Sequence, residues 1–430
     1  MISAKHHPIA NTAAASLCLM LILFPKGGVR VGEIPVTWGY LLLFASLLGL
    51  LPIRMLATKA RYVRRQIVAL FCVTPFGLLL FYSSLAFGVA FLGGLISTFT
   101  SLIFFPLLFL WFYPPLLPLV DRELFLKWFR YTILIAALFG ILLFFWRPIT
   151  GSWIQIPYLT VNGDDAGDFS STKNIARGAF FKLVSTYNNG NIYGAATLII
   201  FRMYTEATGR KWQRWVIWIA LFLTLSRTIW AGMLFDVLLS LGAVLIQQRN
   251  SFPVLRLGKA AWITGTVVVL APVFVILTKL VGVQQRNSFL LDPTLGGRTG
   301  QFTNLGSATF FPQSGSSNFF TEITYLSAVN LYGYIGFFTI ALLLLSPLIV
   351  LLFDRRALSD PYRRAAFKGL LLYALISTSD GALNLIPVMA FYWFTYMIFL
   401  FGLPGHPTQH GVERQASLPL LPSPLQTSSV

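Results

Sequence analysis

The sequence predicts an all-α polytopic integral membrane protein of about twelve transmembrane helices, and three observations predict it. Hydrophobic residues make up 56% of the 430 and charged ones only 11%, with a mean hydropathy of +0.73, too apolar for a domain of this size solvated by water. Apolar stretches suited to membrane spans recur along most of the chain. The basic residues, which produce a net charge of +18, sit in short clusters between those stretches. A nucleic-acid partner would need them gathered on one water-exposed face, so none is expected.

Taken in order, the stretches are 9–24, 36–53, 68–87, 89–113, 131–146, 189–203, 215–225, 228–246, 260–281, 323–352, 367–379 and 382–401. The first follows Lys5, His6 and His7 in the outline of a signal peptide, but without a small-residue cleavage site it reads as a retained span. Two stretches, 215–225 and 367–379, fall short of the ~20 residues a hydrocarbon core requires and must borrow flanking residues. Cys18 and Cys72 lie inside apolar stretches, where they act as small hydrophobes and suggest neither a disulfide framework nor a thiolate metal site.

Basic residues resist translocation, so the richest loops stay inside. With a cytoplasmic N-terminus, the inside segments carry Lys5, the 54–65 cluster, Arg122 to Arg130, Arg202 to Arg214, Arg249 to Lys259, Arg355 to Lys368 and Arg414, which is 22 of the 32 Lys and Arg. Both termini then lie in the cytoplasm. Two long polar segments, about 147–188 and 282–321, face outward and are the expected seat of chemistry. Residues 1–403 form the transmembrane domain. The Pro-, Ser- and Thr-rich 404–430 reads as a disordered cytoplasmic tail.

Ser226-Arg227-Thr228 interrupts an apolar run at the outer end of a helical hairpin. Arg227 is there either a snorkelling interface arginine or an anion site, its planar fork of donors matching phosphate. Gly296-Gly297-Arg298-Thr299-Gly300 combines tight-turn backbone with a second cation, although such a string is also an ordinary polar turn. Lys173, Arg177 and Lys182 lie on the same outer side. Together these cations point to a polyanionic ligand.

Glu322 stands where the second outer loop meets an apolar run; a partly desolvated carboxylate there suits a base, or a residue stabilised by a helix N-terminus. Asp380, between the last two spans, is an alternative base or an arginine partner. Asp164, Asp165 and Asp168 cluster without the spacing of a calcium loop. Asp236 lies within a span and implies a polar partner or a water-filled cavity, which keeps a transporter reading open. The four histidines lie near the termini, leaving none outside as base or metal ligand.

These segments, in this order, resemble the O-antigen ligase and polymerase superfamily of Wzy-type membrane glycosyltransferases. Asn188-Asn189-Gly190-Asn191-Ile192-Tyr193-Gly194 is similar to the family's Asn-rich Tyr-Gly opening of a span, and Leu225-Ser226-Arg227-Thr228-Ile229-Trp230-Ala231 to its Ser-Arg-Gly-x-Trp segment, with Thr228 in the glycine position. Gly297-Arg298-Thr299 resembles the Gly-Arg signature of the large periplasmic loop. Glu322-Ile323-Thr324-Tyr325-Leu326, followed by Leu331 to Gly336, resembles its polar-Tyr-Leu entry to a Gly-rich helix. The motifs cover about 190–340.

The resemblance implies a GT-C-type helical fold in the bacterial inner membrane acting on polyprenyl-pyrophosphate-linked oligosaccharide and polysaccharide, with no cofactor, metal or nucleotide sugar. Arg227 and Arg298 would hold the pyrophosphate, and Glu322 would act as base or acceptor orienter. Lys173, Arg177, Lys182, Asn191, Tyr193, Tyr325 and Asp380 would bind substrate. The lipid bilayer, a chain-length regulator and a flippase are the implied partners. Ligases of this superfamily carry a histidine in the second large loop where this chain offers Glu322, so a polymerase is favoured over an O-antigen ligase joining glycan to lipid A-core. A polysaccharide or lipid-linked-sugar flippase is the reading from another class.

Overall fold

A computed structural model describes residues 7–31, 34–56, 64–88, 92–163, 175–177, 180–248, 302, 305–312, 320–383 and 385–403. Among these, eleven helices longer than two turns run α1 Pro8–Leu23, α2 Trp38–Met55, α3 Arg64–Phe87, α4 Leu92–Phe112, α5 Arg122–Thr150, α6 Gly190–Ala207, α7 Lys211–Leu223, α8 Arg227–Gln248, α9 Thr324–Phe353, α10 Pro361–Asp380 and α11 Ile386–Phe401. Each overlaps one of the expected apolar stretches; the stretch 260–281 lies outside the described residues. Five helices, α2, α3, α4, α5 and α9, are long and apolar enough to cross a membrane, while α1 and α11 are apolar but shorter. The protein is helical and has membrane character.

Exposed side chains show why lipid is its solvent. On α5, Tyr131, Ile135, Leu138, Leu142, Phe145 and Ile149 are all exposed, and their alternating spacing of three and four places them on one face. Leu41, Phe44, Leu48, Leu51 and Met55 repeat the pattern on α2. Water would penalise such continuous apolar faces, whereas acyl chains solvate them.

The core is built around α10, which packs on α6, α8, α9 and α11, while α3 lies along α9. Trp393, Tyr392 and Tyr396 of α11, Tyr373 of α10 and Tyr332 of α9 are fully buried there. Two carbonyls of α4 show how the core satisfies backbone that its own helix cannot. The helix contains two wide π-type turns. Ser101 would need the N–H of Pro106 for its π bond, and Leu110 faces Pro114 and Pro115; proline has no N–H. The Trp393 indole donates to Ser101 O at 2.7 Å and the Gln66 amide to Leu110 O at 2.6 Å.

A kink divides α9 at Gly333, whose φ is +73°. The carbonyls of Thr309 and Phe310 enter the kink and accept from the N–H groups of Tyr334 at 3.0 Å and Ile335 at 3.1 Å. A side chain at 333 would meet Thr309 O at 2.6 Å, so both conformation and space call for glycine. Part of the second expected loop is therefore fastened to α9 through its backbone.

The basic clusters converge on one end of the bundle. Asp354, after α9, accepts from Arg65 of α3 at 2.5 Å and Arg363 of α10 at 2.8 Å. Arg54 lies over Trp111, Arg64 over Phe353 and Arg122 over Tyr362, 5.0 to 5.6 Å from the ring centroids. These contacts bring the ends of α2, α3, α4, α5, α9 and α10 to the same level.

Two departures from the expectation are local. Short antiparallel hairpins, Gly28–Val31 with Ile34–Thr37 and Ala176–Arg177 with Phe180–Phe181, occupy expected loops, because chain leaving a helix must still pair its backbone polar groups. The fifth stretch grows from 131–146 to a helix spanning Arg122–Thr150. The Asp121 carboxylate caps it by accepting from the Leu124 N–H at 3.0 Å, which lets the amphipathic first turns extend the apolar run.

Candidate functional site

At the end opposite the basic clusters, five helix termini meet: the ends of α7 and α10 and the starts of α6, α8 and α9. The α7–α8 turn sets Arg227 at the first position of α8. Leu225 turns the chain with φ +47°, and Trp230 stacks on Phe222 at 5.2 Å while its indole donates to Phe222 O at 2.9 Å. A half-buried guanidinium at a helix N-terminus concentrates two donors of positive potential, the fork and the helix dipole.

The start of α6 is tied to the same turn. Leu183 N–H donates to Leu223 O at 2.9 Å, and Gly190 sits so close to Leu183 O and Thr224 O that a side chain there would push the turn away. Asn189 caps α6 by accepting from the Asn191 N–H at 2.8 Å. This places the Asn191 side chain between two charged groups. Lys182 Nζ donates to Asn191 Oδ1 at 3.0 Å, and Asn191 Nδ2 donates to Asp380 Oδ2 at 2.6 Å. Lys182 is 5% and Asp380 7% exposed, so both charges stand almost wholly out of bulk solvent.

Asp380 ends α10, and its neighbours draw in the remaining elements. The hydroxyls of Ser379 and Thr228 share a 3.0 Å hydrogen bond, joining the residue before Asp380 to the residue after Arg227. The Gly381 N–H donates to Glu322 O at 2.9 Å. No side chain fits at 381, because it would overlap the Thr324 hydroxyl. Glu322 is exposed just before α9, where the helix N-terminus favours a carboxylate.

Beside this junction an apolar cavity of about 830 Å³ opens between α8, α9 and α10, lined by Phe235, Leu239, Tyr325, Phe337, Leu375 and Thr378, among others. Tyr325 hangs over it with its hydroxyl on Ala374 O at 3.0 Å.

Of the residues singled out from sequence, the fold thus brings Arg227, Lys182, Asn191, Glu322, Tyr325 and Asp380 to one end. Tyr193, two residues beyond Asn191 in the first turn of α6, is 1% exposed and packs edge-on against Tyr187 at 5.5 Å. Arg298, Lys173 and the Asp164–Asp168 cluster lie outside the described residues, and Arg177 is described only as a position in a strand. Thr228 and Ser379 were not singled out as site residues; the Ser377-Thr378-Ser379-Asp380 run closing an apolar stretch was the available signal. Asp236 is paired: Arg202 of α6 donates to both of its carboxylate oxygens, and to Ser240 Oγ at 2.6 Å. Arg202, expected on the inner side, lies in the second half of α6 and is partly exposed. Among the described residues no cluster of three His, Cys, Asp or Glu side chains is arranged to hold a metal ion.

No protein-family model matches the chain, and no curated protein matches it significantly.

Proposed function

We propose that this chain is a polysaccharide polymerase of the bacterial inner membrane, a metal-independent inverting glycosyltransferase of the O-antigen ligase and polymerase superfamily. In this reading it crosses the membrane about twelve times in a GT-C-type arrangement with both termini in the cytoplasm. The arginine-rich end lies inside by the positive-inside rule, and the end carrying Arg227 and Asp380 faces the periplasm.

The observation that carries the proposal is the junction of a cationic helix N-terminus with buried and exposed carboxylates, set beside an apolar cavity. A polyprenyl pyrophosphate has the matching parts: an isoprenoid tail for the cavity and a pyrophosphate for Arg227, with Arg298 as the second cation. The acceptor sugar hydroxyl attacks the anomeric carbon of the donor glycan. A new C–O bond forms as the bond from that carbon to the pyrophosphate oxygen breaks, and the electron pair leaves on the pyrophosphate. The hydroxyl proton passes to a carboxylate of this junction, with Glu322 as base or as the residue that orients the acceptor and Asp380 as the alternative base. Fixed cations at the departing phosphate stabilise charge that develops only in the transition state.

The growing chain thereby moves onto the next lipid-linked repeat unit, supplied by a flippase and measured by a chain-length regulator, for O-antigen, capsule or exopolysaccharide. The test replaces Arg227, Arg298 and Glu322 singly with alanine, checks membrane abundance and sizes the lipid-linked and surface glycans. Single repeat units at normal abundance are expected. Long lipid-linked polymer absent from lipid A-core would instead identify a ligase, and unchanged glycans in all three variants would reject the glycosyltransferase reading.

A further inference from the structure

Lys182 and Asp380 are unusual for where they sit. Lysine and aspartate are rarely buried to this degree unless they answer a partner, yet the fold places Asp380 at the C-terminal end of α10. There the helix dipole is negative and opposes a carboxylate, and burial opposes it again. An asparagine stands between the two charges. Because the ammonium occupies Asn191 Oδ1, the amide can turn only its NH₂ toward Asp380. The bridge therefore links the orientation of the ammonium to that of the carboxylate.

Each part of the bridge is itself held. Lys182 N–H donates to Ile175 O at 2.8 Å, Asn191 N–H is fixed by Asn189, and Ser379 is bonded to Thr228 beside Arg227. We infer, resting on the transferase reading above, that Lys182 is a positioning residue: through the Asn191 amide it fixes the Asp380 carboxylate, which accepts the proton of the attacking sugar hydroxyl. As that oxygen bonds to the anomeric carbon, its proton moves to Asp380 and the pyrophosphate departs with the electron pair. Glu322, exposed at the rim, then orients the acceptor.

The experiment uses the full-length protein in lipid nanodiscs, with lipid-linked repeat units extracted from cells lacking it, and measures kcat and KM for polymer formation. Lys182→Met is expected to lower kcat about 10- to 100-fold with KM within about threefold, as loss of alignment without loss of ligand contact. Asp380→Asn should lose at least as much. The double variant should be no slower than Asp380→Asn alone, because both act in one unit. Lys182→Arg, which keeps a donor to Asn191, should recover part of the rate. If Lys182→Met does not fold, Asn191→Ser breaks the same bridge in its middle and is read identically.

A raised KM with unchanged kcat would mean that Lys182 touches the ligand directly, and multiplying losses in the double variant would mean independent roles; either overturns the inference. Absence of polymer formation by the unmodified protein would instead reject the transferase reading on which it rests, whereas an active unmodified protein beside a fully active Lys182→Met rejects the positioning role alone.

Discussion

Arg202 grips Asp236 with both arms of its guanidinium fork, joining α6 to α8 in the interior of the bundle, where the aspartate is 1% exposed. Removing one partner leaves an uncompensated buried charge, so Arg202→Met or Asp236→Leu should each cost about 3–5 kcal/mol. The double variant Arg202→Met/Asp236→Leu should be milder than either. Thermal unfolding in detergent checks the order, and a double variant as unstable as the sum of the singles would contradict it.

The indole of Trp393 supplies the donor that Pro106 cannot give to Ser101. Trp393→Phe keeps most of the packing but leaves that carbonyl unsatisfied, at a cost of about 1–3 kcal/mol. Gln66→Leu should act similarly at Leu110. The two losses should add in unfolding measurements, since the carbonyls are nine residues apart on α4 and have different donors.

Asp354 predicts a pH dependence at the basic end of the bundle. Burial would push its carboxyl up, but hydrogen bonds from Arg363 and Arg65, with their charges, hold it below the ordinary carboxylate range. A depressed folded-state value means that this contribution is fully present above the unfolded value of about 3.9 and is lost as pH falls through the lower folded value. Stability followed from pH 5 downward should therefore decline less steeply in Asp354→Asn, which begins lower at neutral pH. Parallel curves would show that the two arginines do not hold this carboxylate.

Gly333→Ala forces a side chain into left-handed backbone against Thr309 O. The strain of about 1–3 kcal/mol can be relieved by expelling the 309–310 carbonyls from the kink of α9. Faster proteolytic cleavage around 305–312, with α9 still helical, is the expected readout.

Much of the site was legible as separate residues. Lys182, Asn191, Glu322 and Asp380 each stood out as polar groups at the edge of an apolar stretch, and Arg227 as a cation interrupting one. Nothing in those local signals revealed that Asn191 bridges Lys182 to Asp380, 189 residues further along.

The sequence by itself determined the solvent, the helices and their basic end, because hydropathy, helical period and charge clusters act over a few turns of one chain segment. The tertiary structure decided which helix ends meet, which buried charges pair and which side chains answer the carbonyls that proline leaves bare. Those outcomes depend on how helices distant in sequence pack side by side, and no single segment carries that geometry.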